Sequence, residues 1–216
     1  MPDLIAWRSW WRAGLLLLLP ALAACSAGRP STGFIEARLN GAYIPLAERE
    51  ALVLNHWAAA FAIAPNVGVT NDHNLRFIPP EMVLARSRDY DLLFFRTDKS
   101  MPPALAKAVP GEDVIAYGQG ASDDLREARG KVASLEEHVR PRCSDCPSQR
   151  VMIFDARAGG GFSGGPVVDA KSGAVVGITF GYLDGRAADG GRRMYAYDID
   201  LVMAEMRRLL ALREPR

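Results

Sequence analysis

The chain has 216 residues with 26 basic and 25 acidic side chains, so its formal net charge is +1. This length suits one substantial domain or two small ones, and a charge near zero gives no electrostatic basis for binding a nucleic-acid backbone. The 20 glycines and 14 prolines are scattered along the chain, which is typical of many short strands joined by tight turns. The sequence therefore indicates a globular, strand-rich protein with no nucleic-acid partner.

The first 25 residues have the pattern of an export signal. Arg8 and Arg12 precede the apolar run 15–19, and small residues follow before Cys25. A basic segment, a short apolar core and small residues before a cleavage point define a secretory signal, and this core is too short for a membrane span. The sequence Leu-Ala-Ala-Cys at 22–25 resembles the bacterial lipobox, which implies that Cys25 is lipidated and becomes the first mature residue.

The same resemblance predicts where the protein is sent. Ser26, rather than an aspartate, follows the cysteine, which favours the outer over the inner membrane of a diderm bacterium. We expect residues 1–24 to be removed as a signal peptide and residues 25–33 to form a flexible, lipid-anchored tether. The domain is then held in the bacterial cell envelope, facing the periplasm. The alternative is an ordinary secretory signal with a chance cysteine.

Two patterns predict strands in the first half of the chain. Asn40-Gly41 is a strong hairpin signal and predicts strands at 34–39 and 42–46. The segment 58–70 predicts two further strands joined by a turn. Four of its apolar side chains are expected to face one core: Phe61, Ile63, Val67 and Val69.

Three histidines are candidates for acid–base chemistry, and they differ in context. His73 follows the second of these strands and a polar segment, where a general base is able to reach a neighbouring loop. His56 precedes Trp57 inside an apolar segment, which is typical of a half-buried strand residue. His138 lies in a polar run, which is typical of the surface. A lone histidine is usually structural or at the surface, so the case for His73 as a general base depends on its order and context relative to Ser163, which is described below.

Two acidic residues lie beside an apolar strand. Asp91 directly precedes the apolar run 92–95, and Asp89 lies two positions earlier. Both residues fit a solvated strand start, and of the two only Asp91 adjoins the strand directly.

Ser163 lies in a glycine-rich turn between the apolar runs 151–154 and 174–180. Glycines allow positive φ angles and let another backbone approach closely. A nucleophilic serine needs such a turn, because its hydroxyl must stand clear of the surface and N–H groups must converge on the oxyanion of a tetrahedral intermediate. The alternative is a glycine-rich β-turn with an incidental serine.

These segments resemble the motifs of one family. The sequence Gly-Phe-Ser-Gly-Gly-Pro at 161–166 resembles the nucleophile motif of trypsin-like (chymotrypsin-fold) serine proteases, with flanks closest to the bacterial Deg/HtrA-type protease domain. The Thr-Asn-Asp-His sequence before and including His73 resembles the family's histidine segment, and Asp91 opens a segment like its aspartate segment. The resemblance implies a catalytic triad of His73, Asp91 and Ser163, with the N–H groups of Gly161 and Ser163 as the oxyanion hole.

The family resemblance also implies a fold. We expect an all-β protein of two six-stranded antiparallel β-barrels with the active site between them. The N-terminal barrel would span 34–108, and the C-terminal barrel and a closing helix would span 109–216. Apolar residues at helical spacing after Asp200, a plausible N-cap, predict that helix. The chain ends there, so we expect no PDZ domain.

The implied function is hydrolysis of protein or peptide substrates through an acyl-enzyme, without a metal or a cofactor. Two departures from the family support an alternative. Leu93 stands where relatives have a small residue, and the spacing from His73 to Asp91 is short. The alternative is a catalytically inactive, protease-like binding lipoprotein of the cell envelope.

Cys143 and Cys146 are close together in a polar loop. A redox motif would need a thioredoxin-like context, which is absent, and a zinc site would have to borrow His138. In an exported protein we expect a local disulfide instead.

Overall fold

The computed structural model describes residues 27–48, 56–120, 123–139, 148–183 and 192–211. The first half of the chain forms an antiparallel sheet in the order β2-β3-β4-β6-β5. Its strands are β2 (Tyr43–Glu48), β3 (His56–Ala64), β4 (Val67–Thr70), β5 (Val83–Arg86) and β6 (Leu93–Arg96). A short helix, α1 (Ala37–Ala42), precedes β2, and the 3₁₀ segments Asp72–Phe77 and Pro80–Met82 connect β4 to β5.

The second half forms a closed six-stranded antiparallel barrel. Its strands are β7 (Asp113–Gln119), β8 (Leu125–Val139), β9 (Gln149–Ala156), β10 (Pro166–Asp169), β11 (Val175–Leu183) and β12 (Arg192–Asp198). They run in the order β8-β7-β10-β11-β12-β9, and β9 pairs again with β8, which closes the barrel. A two-residue strand, β1 (Arg29–Pro30), adds to the outer side of β8, and helix α2 (Ile199–Ala211) ends the described chain.

One hydrophobic core joins the two halves. It contains Phe61 of β3, Val69 of β4, Ile115 of β7, Ile178 of β11 and Met206 of α2. Each fully buried apolar side chain of this size contributes roughly 1.5–3 kcal/mol to folding. The shared core therefore fixes the two sheets against each other. The boundary between the sheets, called here the seam, is held in place by this packing.

The expected all-β fold with a C-terminal helix is confirmed, and the C-terminal half is the expected closed six-stranded barrel. The N-terminal half contributes five paired strands within the described residues, where we expected six. The expected turn at Pro65-Asn66 joins β3 to β4. The four side chains expected in one core do share it, with Val67 at its partly buried edge.

The hairpin expected at Asn40-Gly41 is wrong, because residues 37–42 form helix α1. The favoured two-residue hairpin turn needs positive φ at both central residues, and neither Asn40 nor Gly41 has one. Leu39 and Ala42 of this helix are fully buried. Burial of these apolar side chains overrides the local turn preference.

The expected N-cap of the last helix is also wrong. Helix α2 begins at Ile199, and the Asp198 carboxylate accepts a 3.0 Å hydrogen bond from the Leu201 amide. Asp198 is therefore the N-cap, since a cap side chain binds the N–H of the second or third helical residue. Asp200 lies one residue inside the first turn and pairs with Lys107 at 3.4 Å.

Residues 27–33 lie against the C-terminal barrel, where the sequence led us to expect a flexible tether. Arg29 and Pro30 pair with Arg126 and Glu127 of β8. The lipidation residue Cys25 and the expected disulfide partners Cys143 and Cys146 lie outside the described residues. Within the described ranges, no helix is long and apolar enough to span a membrane.

Candidate active site

The register of the first sheet brings the candidate base and acid together. Strand β4 ends at Thr70 and β6 begins at Leu93, and these two residues are directly paired. Because the strands are antiparallel, the segment after Thr70 and the segment before Leu93 leave the same end of the sheet. His73 lies in the first of these segments and Asp91 in the second.

His73 and Asp91 are in direct contact. The ring Nδ1 of His73 lies 2.6 Å from Oδ2 of Asp91, and the His73 backbone N–H donates to Oδ1 at 3.0 Å. One carboxylate thus holds both the ring and the backbone of the histidine. Such a contact assigns the ring hydrogen to Nδ1 and leaves Nε2 as the acceptor. No described residue binds Nε2.

Two side chains hold Asp91 itself. The hydroxyl of Tyr197 accepts a 3.1 Å hydrogen bond from the Asp91 amide and donates one of 2.7 Å to Gln149. The Asn71 side chain donates to the Asp91 carbonyl at 3.0 Å. Burial raises the pKa of Tyr197 well above its usual value, so this hydroxyl remains neutral and is able both to accept and to donate.

Asp89 is directed to a different partner. Its Oδ2 accepts a 3.3 Å hydrogen bond from the Arg208 guanidinium of α2. The structure therefore brings Asp91, and not Asp89, to His73. His56 is half-buried at the start of β3, and His138 is exposed on β8, as the sequence predicts.

Ser163 lies in a turn whose glycines are required by the geometry. Gly161 and Gly164 have φ angles of 88° and 80°, which side chains other than glycine rarely adopt. A Cβ atom at Gly164 would overlap the carbonyl of Ala59, and one at Gly161 would overlap that of Gln119. The turn is therefore packed directly against the backbone of both sheets.

The backbone of Ser163 is bound to the half of the protein that carries His73. Its carbonyl accepts a 3.0 Å hydrogen bond from the Ala59 amide and a 3.2 Å bond from the side chain of Asn74. Asn74 directly follows His73, is buried, and also donates to the Thr70 hydroxyl at 3.0 Å. Sequence reasoning missed Asn74, because no local pattern marks a polar residue at this position.

Ser163 is half-buried, and its hydroxyl forms no hydrogen bond with any described residue. Catalytic hydrogen bonds are often long in unliganded enzymes and tighten only when substrate binds. The Ser163 hydroxyl at the seam of the two sheets is therefore not held by a partner within the described part of the chain.

Two backbone N–H groups of the turn have no hydrogen-bond acceptor among the described residues, whereas their neighbours do. The N–H of Phe162 donates to Gly159, that of Gly164 to Thr179 and that of Gly165 to Phe162, at 2.8–3.1 Å. The N–H groups of Gly161 and Ser163, by contrast, bind no acceptor among the described residues. These two are the donors that the sequence assigns to an oxyanion hole, and donors left free of the protein are able to bind a developing oxyanion.

Metal chemistry has no candidate ligand set in this part of the protein. Among the described ranges, no group of three or more His, Cys, Asp or Glu side chains gathers at one point.

The sequence profile described as a trypsin-like peptidase domain matches residues 55–178, which is more than half of the chain. The chain belongs to the trypsin-like peptidase family. The match covers the candidate histidine, aspartate and serine, together with most of both sheets. No curated protein sequence gives a significant match.

Several solved protease structures are similar to this chain in fold. The MamO protease domain from Magnetospirillum magneticum is 16% identical, with a TM-score of 0.61, and the match covers 78% of this chain and 97% of that one. The active form of the Rv3671c protease from M. tuberculosis is 17% identical, with a TM-score of 0.59 over 84% of this chain and 88% of that one.

A third similar structure is the HtrA-type protease AlgW with a tripeptide. It is 18% identical, with a TM-score of 0.61, and the match covers 81% of this chain and 62% of that one. At these identities the three structures support the trypsin-like fold and not a particular substrate.

Proposed function

We propose that this trypsin-like peptidase is a serine endopeptidase with a triad of His73, Asp91 and Ser163. The observation that carries the proposal is the 2.6 Å contact between His73 Nδ1 and Asp91 Oδ2. This contact leaves Nε2 as the ring nitrogen that exchanges a proton with the nucleophile, which is the arrangement of a general base.

The proposed reaction proceeds through an acyl-enzyme. The Ser163 hydroxyl attacks the substrate carbonyl, and His73 Nε2 takes its proton. Asp91 stabilises the imidazolium, and the N–H groups of Gly161 and Ser163 bind the oxyanion. His73 then protonates the leaving amine, and water hydrolyses the acyl-enzyme by the reverse sequence of proton transfers.

The short spacing between histidine and aspartate is compatible with this reaction. The 3₁₀ segment that carries His73 folds back over the start of β6, so the two side chains meet across an 18-residue separation. Leu93, the other departure from the family, is fully buried in a cluster with Ala58 and Ala60.

We further propose that the enzyme is a lipoprotein, anchored through Cys25 in the bacterial outer membrane and facing the periplasm. The lipobox-like sequence at 22–25 supports this location. The substrates would then be proteins or peptides of the cell envelope.

The second candidate is a catalytically inactive, protease-like binding lipoprotein. The observation that favours it is the Ser163 hydroxyl, which makes no hydrogen bond to His73 within the described residues. The two candidates differ in whether Ser163 is nucleophilic.

A fluorophosphonate probe separates them, because an activated serine attacks its phosphorus, forms a stable phosphonate ester and displaces fluoride, whereas an unactivated serine does not react. We expect the wild-type protein to be labelled at Ser163 and to cleave an unfolded protein substrate, and Ser163→Ala to do neither. His73→Ala should also lose labelling while its circular dichroism spectrum stays that of the wild type. A folded wild-type protein that resists the probe and cleaves nothing would support the binding protein.

A further inference from the structure

The segment 27–31, called here the N-terminal arm, lies against the loop that leads to Ser163. The Gly28 amide donates a 2.8 Å hydrogen bond to the carbonyl of Arg157, the first residue of that loop. The Ser31 amide donates to Leu125 at 2.9 Å, which extends the pairing of the arm with β8. The arm therefore bridges the barrel wall and the loop at 157–163, called here the nucleophile loop.

The arm also packs on one side chain of this loop. Phe162, which lies between Gly161 and Ser163, is fully buried. A Cβ atom built on Gly28 would lie 2.6 Å from Cζ of Phe162 and 2.8 Å from the carbonyl of Glu127. The backbone of Gly28 thus covers the Phe162 ring with no room for a larger residue.

Side chains of the barrel hold the arm in this position. Arg126 of β8 donates to the carbonyl of Gly28 at 2.9 Å and to that of Ala27 at 3.3 Å. Glu127 accepts hydrogen bonds from the Nε of Arg29 at 2.8 Å and from the Ser31 hydroxyl at 2.9 Å. These contacts anchor the arm to a rigid strand.

The nucleophile loop has few large side chains, and two of its three glycines pack closely against the barrel. Residues 158–161 are one alanine and three glycines, and glycine has the largest conformational entropy to lose on ordering. A Cβ atom at Gly160 would meet nothing within 4 Å. The Arg192 side chain supports the loop by donating to Ala158 at 2.9 Å. Phe162 is the one large apolar side chain between Ala158 and Ser163.

We propose that the N-terminal arm is a positioning element that fixes Phe162, and through it the two free amides of Gly161 and Ser163, in the geometry that binds an oxyanion. This inference rests on the proposed peptidase function. Its physical basis is that the Ser163 N–H lies in the same peptide plane as the Phe162 carbonyl, so the Phe162 backbone sets its direction directly. The Gly161 N–H is separated from Phe162 by one peptide unit and the Gly161 α-carbon, so Phe162 affects it through the position of that residue.

Gly28→Ala and Arg126→Gln test the arm in two ways. The first puts a methyl group where the Phe162 ring lies, and the second removes the donors that hold the carbonyls of the arm. Gly111→Ala is the control for the first variant, because Gly111 also has a positive φ angle, 88° against 68° at Gly28, and a Cβ there meets nothing within 4 Å. Arg96→Gln, at an exposed position on β6, is the control for the second.

Three measurements on the full chain are needed. One is the rate of fluorophosphonate labelling, the second is kcat and KM with a peptide substrate, and the third is hydrogen–deuterium exchange of peptides that cover 157–163. Loss of one oxyanion donor costs roughly 10²–10³ in kcat. If the loop is loosened rather than lost, we expect the labelling rate and kcat to fall about tenfold and KM to change less. Amide exchange at 157–163 should become faster in Gly28→Ala and Arg126→Gln, and should stay at the wild-type rate in the two control variants.

The possible results are distinguishable. Unchanged labelling and unchanged exchange in Gly28→Ala and Arg126→Gln would overturn the proposal. The proposal would also be overturned if the variants lose labelling only in proportion to the fraction of protein that circular dichroism shows to be unfolded. If the wild-type protein is not labelled, the proposed peptidase function is contradicted. Hydrogen–deuterium exchange at 157–163 still tests the arm in that case, because faster exchange in the two arm variants would show that the arm holds the loop, and unchanged exchange would show that it does not.

Discussion

The side chain of Asn74 donates a 3.2 Å hydrogen bond to the backbone carbonyl of Ser163, 89 positions later in the chain. Asn74 adjoins His73, so this bond ties the candidate nucleophile to the segment that carries the candidate base. The same amide group donates to Thr70, whose hydroxyl in turn donates to Ala59 at 2.8 Å. A buried network of this kind sets the relative position of two chemical groups more firmly than packing alone.

Replacement of Asn74 should therefore reduce activity beyond its effect on stability. In Asn74→Ala, the Ser163 carbonyl keeps only the Ala59 amide, and the Thr70 hydroxyl loses a donor. We expect a loss of about 1–3 kcal/mol in the free energy of unfolding and a fall of about tenfold in kcat. Urea unfolding and peptide kinetics measure the two. Asn40→Ala, at an exposed position in α1, should change neither, and wild-type kcat in Asn74→Ala would contradict the prediction.

The two aspartates before β6 should differ sharply in their effect on catalysis. Asp91 contacts His73, whereas Asp89 binds Arg208. We expect Asp91→Ala to lose about 10⁴-fold in kcat, because the histidine loses its orienting carboxylate. Asp89→Ala should lose far less. Steady-state kinetics on both variants tests this, and equal losses would show that our choice of carboxylate is wrong.

The stability of the protein should depend on the charge of Glu205. This buried carboxylate of α2 accepts a 2.5 Å hydrogen bond from the Ser87 hydroxyl, which itself accepts from the amides of Asp89 and Tyr90 at 3.2 and 3.0 Å. Hydrogen bonds from Arg208, and then from Ser87, lower the pKa of Glu205 against the opposing effect of burial.

A carboxylate with a lowered pKa in the folded state stabilises the fold above its unfolded pKa of about 4.3. That stabilisation is lost as the pH falls through the folded value. Glu205→Gln should therefore be less stable than wild type at pH 7 by about 1–3 kcal/mol, and the difference should shrink below about pH 4. Urea unfolding at both pH values measures it. Glu81→Gln, at an exposed position, serves as the control, and a pH-independent difference would refute the assignment.

Membrane attachment should depend on one cysteine. If Cys25 is lipidated, Cys25→Ser should move the protein from the membrane to the soluble fraction, because the acyl chains supply the binding energy. Fractionation and mass spectrometry of the mature N-terminus test this. An unmodified N-terminus on the membrane-bound protein would contradict the prediction.

Cys143 and Cys146 should form a disulfide in the exported protein. An oxidising compartment favours the bond, and closing so short a loop adds roughly 2 kcal/mol to stability by the chain-entropy estimate. We expect thiol titration of the unfolded, unreduced protein to find neither cysteine free, and metal analysis to find no zinc. Two reactive thiols would count against the bond.

Much of the candidate site is already present in the amino-acid sequence. The glycine-rich turn around Ser163, the strand pattern before His73 and the acidic start of β6 are local features. Glycines that permit a tight turn and apolar runs that bury a strand act over a few residues. The resemblance of these segments to the motifs of one family, in the same order, predicted the base, the acid and the nucleophile, and the strand patterns predicted the strand-rich fold.

Long-range packing decided the rest. The contact between His73 and Asp91 depends on the pairing of Thr70 with Leu93, a register set between separate strands. Asn40-Gly41 has a hairpin sequence but lies in a helix, because burial of its neighbours contributes more than the turn preference. The arm at Gly28 meets Phe162 across 134 positions. Such contacts depend on how two sheets close around one core, and no short stretch of sequence carries that information.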